Sequence, residues 1–160
     1  MRGSRKCMCA AAFALGMMAS HCLAQVQQAP ASDKTSSLVD MLSNIKNAVQ
    51  SGRYRDPSAV YKTVSVRLAE CAITYGMLSG IPDNSQAAKD KDSENSQLYY
   101  RAATALYPGT ADDFKHELEK SKERLIQLRS DKKALFYFVR NCRDLSQPAA
   151  LQGAISELLL

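Results

Sequence analysis

Two cysteines, Cys71 and Cys142, each stand in the middle of an apolar line with helical spacing, and this limits the possible folds more than any other feature. The first line is Val64, Leu68, Cys71, Tyr75 and Leu78, with separations that alternate between four and three. That alternation puts all of them on one face of a helix. The second line is Leu135, Phe138, Cys142 and Leu145. An apolar face has to be covered by another. We therefore expect the two helices to meet in one core and Cys71 and Cys142 to be joined there.

Whether two thiols pair depends on the compartment, and the N-terminus bears on that. Arg2, Arg5 and Lys6 form a positive start, and Met8 to Ala19 is an apolar run too short to span a bilayer. Cys22-Leu23-Ala24 then offers a small-x-small cleavage site. This three-part layout is that of a secretory signal peptide over residues 1–24. An uncleaved anchor is the alternative, and His21 argues against a lipid-modified Cys22. Cleavage removes Cys7, Cys9 and Cys22 and leaves one possible pair in an oxidising, periplasmic or secreted setting. Closing a loop of about 70 residues stabilises by about 4 kcal/mol in the chain-entropy model. Two buried free thiols are the rival reading.

The same cut changes the charge. The whole chain has 21 basic and 16 acidic side chains, a net +5, and the leader holds three of the basic ones and no acid. The remainder carries 18 against 16, or +2, with both signs interspersed. Nucleic acid is not an expected partner, because phosphate binding needs clustered Lys and Arg. No stable membrane span is expected after residue 24.

Downstream, residues 25–35 are polar and proline-bearing and read as a flexible leader. Ser36 or Ser37 can cap a first helix bearing Leu38, Met41, Leu42, Ile45 and Val49, and Gly52 ends it. Asp56-Pro57 opens the second helix, since Asp caps free amides and proline at the first position sacrifices no bond. That helix stops at Ser79-Gly80-Ile81-Pro82, and Glu70 within it reads as a solvated residue. Asp83 to Gln97 is either a long exposed loop or the polar first half of a third helix. Leu98, Ala102 and Ala105 then form one edge, with Tyr99 and Leu106 beside them, up to Pro108-Gly109.

Thr110 to Asp113 is a capping-box variant that starts a fourth helix, with Phe114, Leu118, Leu125 and Leu128 as its buried line. Ser121 interrupts that line, and Lys120–Glu123 is an expected surface pair. Ser130-Asp131 can cap a separate fifth helix, although the seven-residue spacing of Leu128, Leu135 and Cys142 also allows one long helix. Ala134 to Val139 looks strand-like but has no partner strand, so it reads as the most buried turn of a helix. Ser146-Gln147-Pro148 begins a last helix with Leu151, Ala154, Ile155, Leu158 and Leu159. The fold class is all-α: residues 36–160 form a single bundle of five or six helices with one interhelical disulfide.

Catalytic patterns are missing from this reading. No GxSxG, Walker loop or GxGxxG occurs. His116 is the one histidine past the leader, and His116-Glu117-Leu118-Glu119-Lys120 is not HExxH. With Asp112 it gives two ligands where a metal needs more, so no metal or cofactor is expected. Asp112, Asp113 and Glu117 are already explained by helix capping. Pairing the cysteines would deny a Cys–His nucleophile. Tyr99, Tyr100 and Arg101 are the candidate binding residues, because Tyr and Arg are enriched among interface anchors and both tyrosines cannot face inward. The expected role is non-enzymatic binding of another envelope protein, with a small hydrolase or ligand carrier as the alternative.

An exported helical chain with Cys142-Arg143-Asp144-Leu145 near its end resembles the periplasmic immunity proteins that neutralise type VI secreted cell-wall amidases. It is also similar to exported all-helical proteobacterial proteins that share Ala69-Glu70-Cys71-Ala72. The first resemblance implies inhibition by a connecting segment pushed into the amidase cleft, and Asp83 to Gln97 would be that plug.

Overall fold

The computed structural model describes residues 34–160, with side chains from residue 37 onward. The expected signal peptide and most of the leader lie outside the described residues. Six helices follow in order: α1 Lys34–Ser51, α2 Pro57–Ser79, α3 Gln86–Leu106, α4 Ala111–Leu128, α5 Lys132–Ser146 and α6 Pro148–Leu158. No strand occurs among the described residues. The last residues of the leader already belong to α1, which begins at Lys34, ahead of the expected serine cap. A helix end can shift by a residue or two without changing its packed face. Met41, Ile45 and Val49 are buried as the spacing requires.

Helix α2 is the hub, because it packs against every other helix of the bundle. Asp56 starts it by accepting bonds from the amides of Ser58 (2.9 Å) and Ala59 (3.1 Å). Val64, Leu68 and Cys71 are fully buried and Tyr75 nearly so, whereas Leu78 at the end of the predicted line is only partly buried. Ser65, Ala69, Ala72 and Thr74 are also buried, on other sides of the helix. Helix α3 comes closest, along small residues. Ser65 Oγ donates to the Ala103 carbonyl at 2.6 Å, and Ser96 Oγ donates to the Ala72 carbonyl at 2.8 Å.

Three helices converge on the sulfurs. Cys71 of α2 and Cys142 of α5 form a disulfide, with Cα atoms 5.6 Å apart. From α3, Tyr99 donates its phenol hydrogen to the Cys142 carbonyl at 2.8 Å. Its ring stacks on Tyr75, with centroids 5.4 Å apart. The disulfide, the stack and the hydrogen bond thus hold α2, α3 and α5 in one register.

Glu70 is not a solvated residue: it is 3% exposed. It points about 100° from Cys71 on the wheel, and α4 covers that side too. Arg67 pairs with it at 3.3 Å, and Arg124 reaches it from α4. Burial lowers the Arg67 guanidinium from its usual value, and its charge also lies over the Phe138 ring at 4.9 Å. Every buried side-chain nitrogen or oxygen among the described residues has a partner.

Ala105 is exposed and Ala103 is buried in its place, because α2 faces the stripe of Tyr99, Ala102, Ala103 and Leu106. Ala134 to Val139 is helical but is not the most buried turn, since Phe136 is 68% exposed. Helix α5 buries only one stripe, the Phe138–Cys142–Leu145 side. Two open alternatives close. Asp131 accepts bonds from the amides of Lys133 and Ala134, so α4 and α5 are separate helices. Gln86 to Gln97 is helix, capped by Ser85, and the polar cluster at Asp92 to Ser96 does not break it. The Thr110–Asp113 capping box forms as expected, whereas the surface pair on α4 is Lys122–Glu119 at 2.7 Å rather than Lys120–Glu123.

Two substitutions check this packing by chemical denaturation. Leu68→Ala should destabilise by about 2–5 kcal/mol, as for a fully buried leucine. Glu70→Ala should cost about 1–3 kcal/mol, because two arginines lose their carboxylate while keeping partial access to water. An unchanged transition in either variant would remove that residue from the core described here.

Candidate functional site

The three candidate residues do not form one surface. Successive residues on a helix are turned by about 100°, and the three side chains point to three different neighbours. Tyr99 faces inward to the Cys142 carbonyl and is buried. Arg101 faces the α1 side, where it lines a small cleft of about 140 Å³ with Leu38, Glu94 and Leu98. Tyr100 is 48% exposed and turns toward α4. Of the three, Tyr99 is structural and Tyr100 opens onto the larger feature.

That feature is a groove. Helices α3 and α4 each pack on α2 far more than on each other, so a furrow remains between them. It consists of two clefts, of about 530 and 410 Å³, that share Tyr100 and Leu118. One end is aromatic, with Tyr107 and Phe114 at 5.1 Å and Tyr100 and Phe114 at 6.2 Å between ring centroids. The other end is floored by Ala72, Ile73 and Gly76 of α2. Lys115 and Lys122 stand seven residues apart on α4 with Leu118 between them, so one wall carries two cations on a single stripe. Lys122 is held by Glu119, and Lys115 has no ion pair among the described residues.

The electrostatics nearby are those of helix capping and surface pairing. The Thr110 hydroxyl and amide hold the Asp113 carboxyl below its usual range, and Lys62 is raised mainly by its hydrogen bond to Glu117. His116 is exposed, and it lines neither cleft of the groove. No group of three or more His, Cys, Asp or Glu side chains suited to a metal exists among the described residues. No described helix is long and apolar enough to cross a membrane.

Tyr100 was visible in the sequence as an aromatic residue beside a buried one. Ile73, Gly76, Tyr107 and Phe114 were not visible as site residues. Two of them lie on the hub helix off its main apolar line, and only the placement of α3 and α4 makes them a floor.

The described residues thus form an all-helical arrangement of six helices with an aromatic, lysine-edged furrow, and no catalytic cluster converges on that furrow among them. In comparisons with known proteins, the chain matches no family model, no curated protein and no solved structure.

Burial is what separates Tyr99 from the rest, and it pushes the Tyr99 phenol up to about 12. Folding therefore favours the protonated phenol. This contribution is fully present below the unfolded value near 10 and is lost as pH rises through about 12. An ultraviolet phenolate titration should show one tyrosine ionising near 12, and Tyr99→Phe should abolish that step. A Tyr99→Phe protein with an unchanged titration curve would contradict the assignment.

Proposed function

We propose that this is an exported, non-enzymatic protein-binding module whose partner is another envelope protein and whose docking surface is the groove at Tyr100. The observation that carries the reading is the groove itself. It offers exposed aromatic area on a rigid two-helix frame, flanked by lysines that add charge selectivity. A segment with apolar side chains and acidic neighbours complements it, in the manner of a helix laid into a hydrophobic furrow. Export is supported by the N-terminal layout of residues 1–24 and by the pairing of Cys71 with Cys142.

Inhibition of a cell-wall hydrolase is a second reading. The plug it requires shrinks to the α2–α3 corner, where Ile81, Pro82 and Asp83 stand exposed, because Gln86 to Gln97 is helix rather than loop. An amidase assay with added protein checks this, and loss of inhibition on Ile81→Ser would tie it to the corner.

The groove is tested by placing a photo-crosslinking amino acid at Tyr100 in the cells that make the protein. One discrete crosslinked partner at position 100, lacking with the same label at Phe136, supports the proposal. The same products at both positions, or none at 100, would overturn it. The purified exported chain should begin at Gln25, and an intact Met1 would refute cleavage. Tyr100→Ala should cost only about 1 kcal/mol of stability, the share of a half-exposed ring resting on Phe114, well below a core substitution.

A further inference from the structure

A second cleft is built on different lines from the groove. It lies where the C-terminal ends of α2 and α4 meet the start of α5, and it encloses about 490 Å³. That is within the range of about 300–1,000 Å³ found for small-molecule sites. Met77, Leu78, Ile81 and Leu135 form its apolar walls. Gly76 and Gly80 contribute backbone only, so no side chain from these two positions fills the space between those walls.

The charge at this cleft has one sign. Arg129 and Lys132 line it, both are exposed, and neither has an ion pair among the described residues. No Asp or Glu lines it. The carboxylate nearest in sequence, Asp131, is engaged by the amides of Lys133 and Ala134 and so caps α5. By contrast Arg67, Arg124, Lys62 and Lys122 each have a carboxylate beside them. Two unmatched cations at an apolar opening complement a ligand with one anionic end and a long apolar body.

We propose that this cleft binds a free long-chain fatty acid. Its carboxylate is held by Arg129 and Lys132, and its chain lies along Met77, Leu78 and Leu135. Arginine suits a carboxylate because its planar fork can donate two parallel hydrogen bonds. Each buried methylene strengthens binding by about fourfold, so chain length sets affinity while the cations select the acid. This inference is independent of the groove at Tyr100.

The test is calorimetric titration of the purified protein with oleate below its micelle concentration, with oleyl alcohol and octanoate as comparisons. Saturable one-to-one binding of oleate is expected, at least tenfold tighter than either comparison ligand. The double variant Arg129→Ala/Lys132→Ala should bind oleate at least tenfold more weakly while keeping the wild-type circular dichroism and melting curve. Both residues are exposed, so the variant should fold. Tyr100→Ala should bind oleate as the wild type does. Absence of saturable binding, equal affinity for the alcohol, or unchanged affinity in the double variant would each overturn the proposal. Association with phosphatidylglycerol vesicles without binding of free oleate would also overturn it and would reassign the cations to a membrane surface.

Discussion

One covalent bond joins the interior of α2 to the C-terminal half of α5, and the rest of the bundle is arranged around it. Cys71 and Cys142 are 71 residues apart in sequence and both are fully buried. Cross-linking so long a loop restricts the unfolded chain, by about 4 kcal/mol in the entropy model. In the folded state the bond fixes where α5 lies along α2. Tyr99 adds α3 to the same point through the Cys142 carbonyl, and its stack on Tyr75 returns to α2. Covalent, aromatic and hydrogen-bonding interactions therefore meet in one small volume.

A helix with neighbours on all sides has to bury polar groups along with apolar ones. Ser65 and Thr74 satisfy theirs against backbone carbonyls, Ser65 across to α3 and Thr74 back to its own Glu70. Glu70 is the demanding case. A buried carboxylate is tolerable only when its charge is matched, and Arg67 and Arg124 match it from two directions. Arg124 belongs to α4, so this network sets the place of α4 on α2 much as the disulfide does for α5.

The surface features follow from the hub arrangement. Because α3 and α4 both press on α2, a furrow is left between them with Tyr100 at its waist. Where α2 and α4 end and α5 begins, the helices diverge and leave the second cleft. The disulfide and the Asp131 cap tie down α2 and α5 where they border the second cleft. A binding surface on such a frame loses little conformational entropy when a ligand arrives.

Helix identity, most helix ends and the two apolar lines were legible in the sequence, since spacing, Asp56-Pro57, the Thr110–Asp113 box and Asp131 are local signals. The pairing of Cys71 with Cys142 was legible because only two cysteines lie past the leader. Glu70, Ala105 and Phe136 were misplaced for one shared reason. Burial depends on how many neighbours a helix has and on which sides, and a one-dimensional pattern does not encode that. Tyr99 and Tyr100 are identical residues side by side, and the sequence could establish only that they point different ways. The tertiary structure decided which became a core strut and which a surface, because that depends on where α5 and α4 come to rest against α3.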